Sequence, residues 1–187
     1  MAEWSVLFMG PVGAGKTTAI HTLSDIEVVH TEARATDATR HLKATTTVSM
    51  DVGVLHLPGN DKLRLYGAPG QDRFDFMWDI LLEQAKAAIV LVNHAAPHPE
   101  RDLALYMRNI AERLGQRPLP LVVGVTHVDR QPDRPLSIYD DCLIPPPHVP
   151  AHSRVPLLQL DARDRAQVRA LVMAAVGLLE QSRTATA

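Results

Sequence analysis

Eight consecutive residues, Gly10-Pro11-Val12-Gly13-Ala14-Gly15-Lys16-Thr17, carry the spacing Gly-x-x-x-x-Gly-Lys-Thr, and their chemistry is that of a phosphate cradle. Glycines let successive backbone N–H groups close around phosphate oxygens. A helix opening at Lys16 turns the positive end of its dipole on the same charge. In this reading Gly10, Val12, Gly13, Ala14, Gly15 and Thr18 line a nucleotide, Lys16 reaches its outer phosphates, and the Thr17 hydroxyl binds Mg2+. A glycine-rich turn with an incidental lysine is the plain alternative; a buried-looking strand before the pattern and a helix after it argue against that.

A phosphate cradle does not by itself separate a kinase from an ATPase or a GTPase. The choice falls to the ends of the later apolar runs, where ligands of such sheets gather. Those ends read Gly67-Ala68-Pro69-Gly70-Gln71-Asp72-Arg73-Phe74, then Thr126-His127-Val128-Asp129, then Asp161-Ala162-Arg163. With the cradle, over residues 4 to 180, they resemble the Ras-like small GTPases. Thr45-Thr46-Thr47-Val48-Ser49-Met50-Asp51 and the Pro-Gly-Gln step are most similar to the bacterial MglA-like and conservon-type branch. The resemblance implies GTP/GDP and Mg2+ as ligands, with the Gly70 N–H on the γ-phosphate and Gln71 as the catalytic residue that orients the attacking water, beside Lys16. It also implies that Thr47, or else Thr46, closes on magnesium and the γ-phosphate, and that Ile26 to Ala44 is a mobile switch I. The partners it implies are a small roadblock-type regulator and an effector at the switch surface.

Asp129 can accept two hydrogen bonds from guanine N1–H and its 2-amino group, a donor pair that adenine lacks, which favours GTP over ATP. By resemblance Thr126 and His127 lead into that aspartate, the Ala162 N–H meets guanine O6, and Asp161 and Arg163 flank Ala162 with Arg163 beside the base. Four positions depart from the family pattern. Gly67 stands where an aspartate normally orders a magnesium-bound water, and Asp51 on the neighbouring strand reads either as its replacement or as an exposed strand residue. Thr126-His127 replaces asparagine-lysine, which takes away the loop-bracing amide and the lysine stem over the base and leaves His127 to stack there. The branched Val12 would crowd Gln71 or an incoming arginine, so intrinsic turnover is expected to be slow. Arg34, Arg40 and Arg73 match no arginine-finger motif.

The elements that must position these residues follow from periodicity. Six short apolar runs, Trp4 to Met9, Thr47 to Leu57, Leu63 to Tyr66, Ala87 to Val92, Leu119 to Val125 and Val155 to Leu160, read as strands. They alternate with helical patterns at Lys16 to Leu23, Phe74 to Ala85, Glu100 to Leu114 and Arg165 to Gln181. Alternation of this kind predicts an α/β, doubly wound, six-stranded and mainly parallel sheet with helices on both faces, the fold of P-loop NTPases. Pro58-Gly59-Asn60-Asp61 makes the second and third strands a hairpin, hence one antiparallel edge strand. Prolines crowd the stretch from Asp129 to Pro150, which predicts a short irregular helix or a loop.

With 187 residues, 46% apolar and 21% charged, the chain suits a single domain over residues 1–187 with a sizeable core. A net charge of −2 gives no bias toward nucleic acid. No run is long and apolar enough to span a bilayer, and neither end carries a lipidation signal, so no direct membrane anchor is expected. The single cysteine fits a cytoplasmic setting, and nine scattered histidines with no cysteine cluster argue against zinc. Phe74, Phe76, Met77 and Trp78 put more apolar surface beside the switch than one helix face buries, which divides them between core and a partner. The sequence thus describes a GTP-binding switch that hydrolyses slowly with Mg2+. A nucleotide-loaded scaffold with negligible turnover and a P-loop small-molecule kinase are the alternatives.

Overall fold

Successive apolar residues of the first run are buried on opposite sides, Val6 and Phe8 in one hydrophobic cluster and Leu7 and Met9 in another. A strand buried on both faces must lie in the middle of a covered sheet. The computed structural model describes residues 3–33, 48–70, 76–143 and 154–184. In chain order they form β1 (Glu3–Met9), α1 (Lys16–Leu23), β2 (Val29–Ala33), β3 (Val48–His56), β4 (Lys62–Gly67), α2 (Phe76–Gln84), β5 (Ala87–Asn93), α3 (Pro99–Leu114), β6 (Leu121–Thr126), β7 (Leu157–Gln159) and α4 (Arg165–Thr184).

These strands make one seven-stranded sheet in the order β2-β3-β4-β1-β5-β6-β7. From β4 through β7 every neighbouring pair is parallel, whereas β3 is antiparallel both to β4 and to β2. The sheet is therefore α/β and mostly parallel, as its alternating pattern predicts, but it has seven strands instead of six. The additional strand, β2, lies inside the stretch read as a mobile switch I. Its sequence Val29-His30-Thr31-Glu32-Ala33 has too few apolar residues to announce a strand, and it is held by backbone pairing at the sheet edge.

The alternation of the central strands assigns each helix a face. Ile20 and Leu23 of α1 pack with Leu171 and Val172 of α4 against Phe8, Ile89 and Leu91. On the other face Trp78 and Leu82 of α2 pack with Tyr106 and Ile110 of α3 against Leu7, Val90 and Val123. Trp78 is 2% exposed and its ring lies 4.8 Å from that of Tyr106, so this aromatic belongs to the core. The side chain of Phe76, and Phe74 altogether, lie outside the described residues.

Among its described residues, the proline-rich stretch after β6 holds two 3-10 helices, Val128–Arg130 and Leu136–Cys142. The second is pinned through Tyr139, whose hydroxyl lies 2.8 Å from Nδ1 of the fully buried His94 just after β5. Arg134 completes the pin by donating to the carbonyls of His94 (2.6 Å) and Ala96 (2.8 Å). The loops that follow β1, β5, β6 and β7 are thereby gathered at one end of the sheet, the end where doubly wound folds take ligands.

Candidate functional site

The loop from β1 to α1 owes its path to three glycines with positive φ. Gly10 (φ +136°) passes so close to β5 that a Cβ there would meet the Leu91 carbonyl oxygen at 2.1 Å, while Gly15 (φ +91°) is the N-cap of α1. Gly13 (φ +80°) turns in open space. Within the cradle the Lys16 Nζ donates to the carbonyls of Gly10 (2.6 Å) and Pro11 (2.8 Å), so two of its three donors are satisfied by the loop itself. Burial pulls the Lys16 pKa down to about 8, partly countered by the charge of Asp51, and the ammonium stays protonated at neutral pH. A cation held in this way, at the N-terminus of a helix, can exchange loop carbonyls for phosphate oxygens.

Gly70 closes over this cradle. A Cβ on it would come within 2.7 Å of Lys16 Nζ and 2.9 Å of the Val12 nitrogen, so only glycine brings its backbone this near. Val12 is 69% exposed and stands on the rim of the cleft, and the Thr17 and Thr18 side chains are exposed on its wall.

Two residues from neighbouring strand ends brace the loop. The buried Thr126 hydroxyl lies 3.0 Å from the Ala14 carbonyl, 3.2 Å from that of Val92 and 2.9 Å from His127 Nδ1. Asn93 donates its Nδ2 to the Gly13 carbonyl at 3.4 Å. The amide is indeed absent at 126, but the shorter threonine side chain makes a bracing contact in its place because β6 ends against the loop. Asn93 was missed altogether, since its partner is 80 positions away and no local pattern marks it.

The far wall of the cleft comes from β6 and β7. His127 adopts a left-handed conformation (φ +58°) as the N-cap of the 3-10 helix Val128–Arg130, a conformation non-glycine residues reach only in tight turns. Its ring is tied to Thr126, and Asp129 is exposed on the cleft wall. After β7, Ala162 is buried, its Cβ 3.1 Å from where a Cβ on Gly15 would lie, so the loop holding Ala162 rests on the phosphate loop. Asp161 is held by Arg163, which donates from Nη2 (2.7 Å) and Nε (2.9 Å) and from its backbone N–H (2.9 Å). Those hydrogen bonds hold the Asp161 pKa down at about 2 and the carboxylate ionised. The resulting cleft, of about 1030 Å³, runs from Val12, Lys16 and Thr17 past Gly70 to Asp129 and Arg163.

Beside Thr17 lies a carboxylate that the sequence left with two readings. The Thr17 hydroxyl donates to Asp51 Oδ2 (2.6 Å), and His30 Nδ1 lies 2.7 Å from Asp51 Oδ1. With its side chain 13% exposed, Asp51 is a held group on the cleft wall and not a merely exposed strand residue.

The structure thus brings together Gly10, Val12, Gly13, Ala14, Gly15, Lys16, Thr17, Thr18, Gly70, Thr126, His127, Asp129, Asp161, Ala162 and Arg163 around one cleft or its bracing contacts. Thr45, Thr46, Thr47 and Gln71, together with Arg34, Arg40 and Arg73, lie outside the described residues. Among the described residues no cluster of three histidine, cysteine, aspartate or glutamate side chains is arranged to hold a metal, and no helix is long and apolar enough to cross a membrane.

Among families of known proteins, the one described as conserved hypothetical ATP binding protein matches residues 24–143. The match starts at the end of α1 and runs through the second 3-10 helix, so the phosphate loop before it is an independent observation. No curated protein matches the chain.

Proposed function

Since the chain belongs to the family described as conserved hypothetical ATP binding protein, we propose that its cleft binds a nucleoside triphosphate with Mg2+, and that the nucleotide is GTP. The protein hydrolyses GTP slowly to GDP and signals through the segments around Thr47 and Gln71 to an effector, with a roadblock-type regulator as the expected partner. The observation that carries this reading is the pairing of the Lys16 cradle at one end of the cleft with Asp129 and Ala162 at the other, both ends tied to the same loop through Thr126 and Gly15.

Lys16 gives up the Gly10 and Pro11 carbonyls to hold phosphate oxygens, Gly70 presents its backbone N–H from above, and Gln71 places the attacking water. Thr17 and Asp51 are hard oxygen donors at one point of the cleft wall, which suits a cation that takes few protein ligands and keeps several waters. Thr17, with Thr47, would hold it, and when bound magnesium offsets the charge that develops on the phosphates. An exposed Val12 on the rim favours slow turnover, with a nucleotide-loaded scaffold as the limiting case.

The family description favours a second reading, ATP in the same cleft, as a hydrolase or small-molecule kinase would use it. Substituting the base-reading carboxylate decides between the two. Asp129→Asn replaces one of the two carboxylate acceptors with an NH2 donor that faces the guanine 2-amino group and takes the charge from the other, and GTP affinity is expected to fall on the order of 100-fold, from one charge-assisted hydrogen bond of roughly 1.5 to 3 kcal/mol lost and a second weakened. Xanthosine triphosphate, whose 2-oxo group accepts from an amide, should bind the variant better than GTP. Competition against a fluorescent guanine nucleotide measures both, and unchanged GTP affinity in Asp129→Asn would refute the guanine reading.

A further inference from the structure

We propose that Asp51 is the carboxylate of the magnesium site, supplied from β3 because β4 offers only Gly67 at that place; the inference rests on the nucleotide reading above. The register of the sheet carries it. His30, Asp51 and Gly67 stand side by side on β2, β3 and β4 as paired residues. A Cβ on Gly67 would lie 2.9 Å from Ile20 Cδ1, 3.3 Å from Asp51 Cβ and 3.4 Å from Asp51 Oδ2, so the Asp51 side chain, with the tip of Ile20, fills the space that a side chain at 67 would enter. Two antiparallel neighbours share a face of the sheet, and moving a carboxylate across one rung keeps it over the same end of the cradle.

Both oxygens of that carboxylate are placed. Oδ2 accepts from Thr17, the residue immediately after the cradle lysine, and Oδ1 faces His30 Nδ1. A fixed negative group beside a site for a triphosphate would repel the ligand unless a cation stands between them, and hydroxyl plus carboxylate is the donor set such a cation prefers. A purely structural role for Asp51 predicts no particular relation to cation affinity.

The test uses the full chain loaded with GDP, Mn2+ as the probe, and free Mn2+ read by electron paramagnetic resonance. Three forms are compared: wild type, Asp51→Asn, and the exchange Asp51→Ala/Gly67→Asp. Circular dichroism melts first establish that each is folded. Asp51→Asn is expected to weaken Mn2+ binding by about 10- to 100-fold. The exchange, which returns a carboxylate to β4, removes the Asp51 side chain from its path and leaves only the flexible tip of Ile20 to give way, is expected to recover most of that loss. Mn2+ affinity within twofold of wild type in Asp51→Asn overturns the proposal, and so does an exchange variant as weak as Asp51→Asn, because the loss then reflects a disturbed loop and not a missing charge. If wild-type protein retains no GDP with or without cation, the nucleotide reading itself fails; if it retains GDP and only the Asp51 comparison is flat, that reading stands and the carboxylate assignment falls.

Discussion

Lys16→Ala is expected to weaken triphosphate binding on the order of 10²- to 10³-fold while leaving the sheet intact. In the free protein the ammonium is already occupied by the Gly10 and Pro11 carbonyls, so its contribution to binding is the difference between those two hydrogen bonds and the stronger ones it makes to charged phosphate oxygens. Charge-assisted bonds of roughly 1.5 to 3 kcal/mol each, less the loop bonds surrendered, leave about 3 to 4 kcal/mol, and each 1.4 kcal/mol is tenfold. Equilibrium fluorescence with a labelled nucleotide measures the loss. An affinity within tenfold of wild type would mean that phosphate does not sit in the cradle.

The second large effect is on folding. Gly10→Ala should destabilise the protein by about 3 to 5 kcal/mol, because the added Cβ meets a backbone carbonyl of β5 that cannot turn away, in a conformation (φ +136°) that side chains rarely adopt. For a chain of this size that corresponds to a fall in Tm on the order of 10 °C in a thermal melt. Gly13→Ala is the matching control: its φ is also positive (+80°), but nothing lies within 4 Å of the added carbon, so only the conformational strain of about 1 kcal/mol applies. Equal melting temperatures for the two variants would contradict the close approach of the loop to Leu91.

The cradle and the elements around it were legible because each is local. The helix at Lys16–Leu23 has the bounds its periodicity predicts, and the central strands alternate between two cores as continuous apolar runs must. What escaped the sequence was long-range. β2 is polar and is a strand only because β3 offers it an unpaired edge. Asn93 braces a loop 80 residues away, and the meaning of Asp51 depends on which residue stands opposite it on β4, a register that no single strand encodes. A residue-for-residue match of the motif at Thr126 shows only a missing amide; with the strand end in place, the hydroxyl reaches Ala14.

The same geometry gives the site its unity. Thr126 and Gly15 connect the wall that bears Asp129 and Ala162 to the Lys16 end of the cleft through the first loop, so under the proposed reading a nucleotide gripped at Lys16 would have its base directed toward Asp129. On the other side of the cradle Gly70 lies against Lys16.

The central claim, that this cleft holds GTP, is tested most directly by calorimetric titration of GTP and of ATP into nucleotide-free protein with Mg2+ present. One saturable site per chain is expected, with GTP bound tighter than ATP on the order of 100-fold, the difference Asp129 makes at the base. No binding of either nucleotide, or ATP bound as tightly as GTP, would contradict it.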